Sequence, residues 1–123
     1  MAVRKPEEWP TLFSQQVNAG DLEAVIELYE PGATFVLESG EVVRSHEGMR
    51  AVLTNLLSKK PRFESRVERC AMQDDIAMLY TNFVITMPDS SEPQQMKSRA
   101  IEILRRQTDG SWKLIIGDPN GRK

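Results

Sequence analysis

The chain has 123 residues, a net charge of −2 with both signs interspersed, and 40% hydrophobic residues. That length predicts one domain able to bury a core without disulfide or metal staples, and the hydrophobic content excludes a disordered chain. No basic stripe suits nucleic acid, and no apolar run approaches the roughly 20 residues that cross a bilayer.

The single cysteine, Cys70, excludes an internal disulfide and fits a reducing compartment. The start, MAVRKPEEWP, carries early positive charge with no apolar run behind it, so it is not read as a signal peptide and a cytoplasmic location is expected.

In chain order, residues 1–5 read as a frayed tail. Pro6, Glu7, Glu8 and Pro10 suit the first turn of a helix, where proline is tolerated and acids meet the positive end of the dipole. Trp9, Leu12, Phe13 and Val17 follow at helical spacing until Asn18-Ala19-Gly20 stops them. Asp21 caps a second helix with the apolar stripe Leu22, Val25, Ile26, Leu28 and Tyr29, ended by Pro31-Gly32. Ala33–Leu37 predicts a short strand, turned by Ser39-Gly40 toward Val42-Val43. A third helix is expected over Met49–Ser58, closed by Pro61.

The remainder predicts β structure. Arg62–Met72 alternates charged and uncharged residues, Asp74-Asp75 is a turn, and Ile76–Met87 is the most apolar run, a central strand. Pro88 to Gln95 reads as a polar, mobile loop, and residues 117–123 as a tail with a frayed end near 120–123. Arg99–Arg106 and Trp112–Ile116 flank Thr108-Asp109-Gly110-Ser111, a hairpin signal. Helices gathered early and strands late define an α+β class, with three helices covering one face of a mostly antiparallel sheet.

The runs NAGDLEAVIELYEPGATFV and IEILRRQTDGSWKLIIGDP, with Gly48-Met49-Arg50-Ala51-Val52 between them, resemble SnoaL-like members of the nuclear-transport-factor-2-like superfamily. The resemblance spans most of residues 10–120. It implies one domain over residues 1–123, a cone whose strongly curved sheet wraps three helices around a pocket, and homodimers formed through the sheet's outer face. The superfamily includes ketosteroid isomerases, polyketide cyclases and dehydratases. Where ketosteroid isomerases carry a tyrosine on the first helix, this chain matches with Phe13. The general-base aspartate matches Leu37, and the neutral acid of the oxyanion hole matches Glu102. A leucine cannot abstract a proton, so the chain is not expected to be a ketosteroid isomerase.

Glu102 stands in an apolar strand and shares a face with Ala100 and Leu104. A carboxyl group desolvated there would favour its neutral form, so Glu102 is the candidate catalytic acid or anchor; a satisfied structural carboxylate is the alternative. Tyr80 and Asn82 are expected to point into the same cavity. Phe13, Tyr29, Phe35, Leu37 and Trp112 are candidates for its apolar wall, although the same aromatics would fill a core in a protein without a ligand. Asp118 follows Trp112, Leu114 and Ile116 at period two and is a further candidate; Asp-Pro-Asn-Gly equally suits a turn.

The only histidine, His46, reads as a surface loop residue. With no second histidine or paired cysteine, no metal site is expected, and no cofactor. Two functions remain open. One is a small-molecule-binding protein of lyase or isomerase type that takes a largely apolar ligand. The other is a dimeric scaffold with a filled or vestigial pocket. No nucleic-acid or membrane partner is expected.

Overall fold

Gly20, at φ 71°, takes the left-handed turn that ends α1 (Trp9–Ala19), and Asp21 caps α2 (Leu22–Ile26) by accepting the Ala24 N–H at 3.1 Å. A 3₁₀ turn at Pro6–Glu8 precedes α1. The computed structural model describes residues 2–88 and 94–122. The loop expected at Pro88–Gln95 falls mainly on 89–93, outside the described residues.

Strand β1 (Tyr29–Val36) begins four residues before the expected Ala33. The reason lies at Leu28, whose carbonyl accepts both the Trp9 Nε1–H, at 2.8 Å, and the Leu114 N–H, at 2.9 Å. These bonds draw Leu28 and Tyr29 out of the helix and onto the sheet. Pro31-Gly32 therefore lies within the strand instead of closing α2. Proline cannot donate to a ladder, and the register slips there: β1 runs from Tyr29 to Thr34 while its partner strand advances only from Leu114 to Ile116.

β2 (Val42–Arg44) leads directly into α3 (Ser45–Ser58), which starts four residues ahead of the expected Met49. His46 is consequently on the first turn of a helix and not in a loop. Its Nε2–H donates to the Tyr29 carbonyl at 2.8 Å, tying α3 to β1. Four long strands follow: β3 (Arg62–Gln73), β4 (Ile76–Met87), β5 (Gln94–Arg106) and β6 (Trp112–Asp118).

The six strands form one open, curved sheet in the order β2-β1-β6-β5-β4-β3, antiparallel except for the β1–β6 pair. Three helices cover its inner face. Ala77, Leu79, Thr81 and Phe83 of β4 and Ser98, Ala100, Glu102 and Leu104 of β5 are buried against them. Between Leu104↔Leu114 and Ile103↔Ile116, β6 carries one extra residue, Ile115. This bulge reverses the parity of β6. Trp112 and Leu114 face inward, Ile116 is 44% exposed, and Gly117 is inward again.

Both ends are held. Val3 is buried, and its carbonyl accepts the Trp112 N–H at 2.8 Å, where a frayed tail was expected. Near the other end the Arg122 N–H donates to the Arg99 carbonyl at 3.1 Å.

At the end of α1, Asn18 fastens the helix to β3. Its Nδ2 donates to the Phe63 carbonyl at 3.0 Å, and its Oδ1 accepts the Phe63 N–H at 2.7 Å. Asn18→Ala leaves both backbone groups unpaired in a partly buried place. It is expected to lower unfolding stability by about 2 kcal/mol in urea titrations, with an unchanged m-value.

Candidate functional site

Between the helices and the inner face of the sheet lies an apolar cavity of about 300 Å³. Its end wall is aromatic. Trp9 stacks on Phe13 at 5.2 Å between ring centroids and meets Tyr29 edge-on at 5.6 Å. Phe13 also meets Phe63 and Phe83 edge-on, at 5.6 and 5.9 Å. Helix α3 contributes Leu53 and Leu56, and β1 contributes Phe35.

One carboxyl group enters this wall. Glu102 is 4% exposed, and strand pairing sets it opposite Gly117 on β6 and Leu79 on β4. Gly117 helps keep the space open. A Cβ there would sit 3.2 Å from Leu114 and 3.3 Å from Phe35, so any larger side chain would compete for the volume beside the carboxyl group. Thr81, diagonal to Glu102 across the β4–β5 pair, donates its hydroxyl to Glu102 Oε1 at 2.7 Å.

Burial pushes the Glu102 carboxyl up to about 7; the Thr81 hydrogen bond and the positive charge of Arg122 pull against this. Near neutrality the group is therefore divided between acid and carboxylate. Tyr29, also buried, has its phenol held well above the usual range, first by burial and then by the Glu102 charge. It is a neutral hydroxyl at any working pH.

The cavity mouth is polar. Asn55 of α3 and Lys59, the residue that caps the end of that helix one turn later, line it from one side. Ser98, Asp118 and Pro119 line it from the sheet. Two of these groups are engaged within the chain: the Ser98 hydroxyl donates to the Pro119 carbonyl at 2.5 Å, and Asp118 Oδ1 accepts the Asn120 N–H at 3.1 Å. Among the described residues no group of three or more His, Cys, Asp or Glu side chains gathers at a metal-binding distance.

Of the residues singled out from the sequence, Glu102, Phe13, Tyr29, Phe35 and Asp118 line the cavity. The other four do not. Tyr80 and Asn82 occupy the opposite face of β4, because Glu102 pairs with Leu79 and the even-numbered residues of β4 point away from the helices. Tyr80 lies under two guanidinium groups, Arg122 at 4.7 Å and Arg69 at 5.8 Å from its ring centroid. Asn82 donates to Glu68 at 3.1 Å. Leu37 is past the end of β1 in the turn toward β2, its N–H donating to the Glu41 carbonyl at 2.8 Å. Trp112 is core, 3% exposed beneath the N-terminal segment.

Thr81, Gly117, Asn55 and Lys59 are not among those candidates. A glycine inside a strand is a signal of close approach, and Gly117 was legible on that ground.

Comparison with known proteins agrees with the fold. A SnoaL-like domain matches residues 11–115. A domain of unknown function with a cystatin-like fold from Nostoc punctiforme superposes with a TM-score of 0.80 at 13% identity, over 95% of this chain and 75% of that one. An NTF2-like protein with a cystatin-like fold from Novosphingobium aromaticivorans gives 0.78 at 14% identity, over 91% and 76%. A ketosteroid isomerase-like protein from Erwinia carotovora atroseptica gives 0.77 at 14% identity, over 91% and 89%. No curated protein matches the sequence. With the matched segment reaching from the first helix into the last strand, the chain belongs to the SnoaL-like domain family, within the NTF2-like fold.

Proposed function

We propose that this protein binds a small, largely apolar molecule in its cavity and holds one oxygen of that molecule against Glu102. The observation that carries this reading is the open space beside a buried carboxyl group. A core residue needed only for packing would not be an acid, and burying one is costly when Thr81 supplies its single side-chain hydrogen bond among the described residues. The cavity equals roughly ten water volumes, which suits a ligand of about ten non-hydrogen atoms. The aromatic wall supplies the apolar contact, while Asn55 and Lys59 leave a polar end of the ligand wetted at the mouth.

Glu102, present both as acid and as carboxylate near neutrality, can donate a hydrogen bond to a carbonyl or accept one from a hydroxyl. Chemistry of lyase or isomerase type would use it as the proton-transferring group, with Tyr29 as a neutral hydroxyl in the same wall. Ketosteroid isomerisation is not proposed, because Phe13 offers no hydroxyl and Leu37 is outside the cavity lining. The half-buried, unpaired Cys70 fits a reducing compartment, and the cytoplasm is the proposed location. Among the described residues no helix is long and apolar enough to cross a membrane.

The outer sheet face favours a second element of the proposal, a homodimer. Ile76 and Met78 of β4, Ile103 of β5 and Ile116 of β6 share that face beyond the part that Gly121 and Arg122 cover, and Ile76 and Ile116 are 36% and 44% exposed. A strip of this kind needs cover. The scaffold reading shares this dimer and differs only in leaving the cavity without a ligand.

Three outcomes test these statements. Glu102 has a folded-state pKa raised above its unfolded value, so its contribution is fully present below about pH 4.5 and is lost as pH rises through about 7. Unfolding free energy is expected to fall by about 3 kcal/mol across that window. Glu102→Gln should flatten the slope and be the more stable protein at pH 8. For binding, 2-octanone is expected to change the fluorescence of Trp9, which lines the cavity, and Glu102→Leu should weaken it about tenfold; failure of a panel of small ketones, alcohols and phenols to bind would leave the scaffold reading. For assembly, sedimentation should give a dimer at micromolar concentration and a monomer for Ile116→Lys; a monomeric native chain would overturn the dimer.

A further inference from the structure

The last described residues return to the outer face of the sheet directly behind Glu102. Gly121 lies so close to Ile101 that a Cβ would stand 2.9 Å from that side chain. This approach lets Arg122 reach across two strands. Its Nη2 donates to the Thr81 carbonyl at 3.0 Å and to Asn82 Oδ1 at 2.9 Å, and its Nε donates to the Ala100 carbonyl at 3.2 Å. Its Nη1 donates to Glu68 at 2.9 Å. The guanidinium group also covers the Tyr80 ring at 4.7 Å. Its side chain is only 11% exposed.

Thr81 and Ala100 are a cross-strand pair, and both adjoin the cavity acid: Thr81 donates to Glu102, and Ala100 precedes it by two residues on the same face. We propose that Arg122 is a positioning residue for the cavity acid, acting through the sheet to fix the Thr81–Glu102 pair from behind and to set the charge that the cavity presents to a ligand. A guanidinium group suits this task because its planar fork can hold two carbonyls and a carboxylate at once while keeping its charge.

The charged surroundings agree. On the cavity side, Glu102 shares its space with Tyr29, and Asp118 and Lys59 stand at the mouth. On the outer side, Arg122 is accompanied by Glu68, Arg69 and Arg99, and Arg122 is the cation that acts on Glu102, favouring its ionised form. Glu68, at the bulge of β3, tempers that charge; its own carboxyl is held low chiefly by the Arg122 hydrogen bond.

The inference concerns the acid named in the functional proposal, but its test needs no ligand. The Glu102 carboxyl is followed by carbon-13 NMR through a pH titration of the whole chain. Arg122→Gln is expected to raise the midpoint by roughly half a pH unit or more, and Arg122→Lys, which keeps the charge, to restore most of it. Glu68→Gln should lower the midpoint by removing the counter-charge, and it keeps the test usable if Arg122→Gln unfolds. An unchanged midpoint in both Arg122→Gln and Glu68→Gln would overturn the proposal. A midpoint lowered in Arg122→Gln, opposite to the loss of a nearby positive charge, would overturn it too. A protein that binds none of the ketones, alcohols and phenols yet shows these titrations would refute the functional proposal and leave this one standing.

Discussion

Removing a carboxyl group from water disfavours its charge, and a protein that does so must either neutralise the group or surround it with donors. At Glu102 the sheet does some of each. Thr81 supplies one donor from the neighbouring strand, Arg122 supplies a positive field from the far side, and most of the remaining lining is apolar. The balance leaves the group near the middle of its titration at neutral pH. Much of the architecture can be understood from this point. The bulge in β6 brings Gly117, with no side chain, opposite the acid, and the aromatic wall excludes the water that would otherwise solvate it.

The fold was legible because its signals are local. Helix stops at Gly20, turns at Asp74-Asp75 and Asp109-Gly110, and the run of apolar strands all behave as their residue types dictate. The boundaries that moved did so under tertiary bonds. Leu28 and Tyr29 follow a helical stripe in sequence, yet the Trp9 indole and the Leu114 amide capture the Leu28 carbonyl for the sheet. Pairing between segments so distant in sequence leaves no mark on local periodicity.

The site was legible in part, and the division has a physical cause. Glu102 could be assigned to a face because its own strand alternates clearly. Tyr80 and Asn82 could not, since β4 is apolar on both sides: Ile76 and Met78 alternate with Ala77 and Leu79. Which set faces the helices depends on the register with β5, and one residue of slip exchanges the faces. The extra residue at Ile115 similarly defeats period-two counting from Trp112 to Asp118. As a SnoaL-like protein, the chain keeps an acid on the inner face of β5 but has Phe13 and Leu37 where the isomerase resemblance would place a hydroxyl and a base. Within the proposed function, Glu102 is the group of that cavity able to exchange a proton near neutrality.

The position of β6 carries a consequence for how the molecule is made. It is the last of the six strands to be synthesised, yet it occupies the interior of the sheet, with β1 on one side and β5 on the other. Until it arrives, the hairpin of β1 and β2 has no neighbour, and both the Val3 and Leu28 carbonyls lack their partners at Trp112 and Leu114. The nascent chain thus carries two half-sheets with open edges that cannot merge before β6 has emerged. Pairings this distant along the chain are slow to form, and unpaired edges in the interim invite contact with other chains.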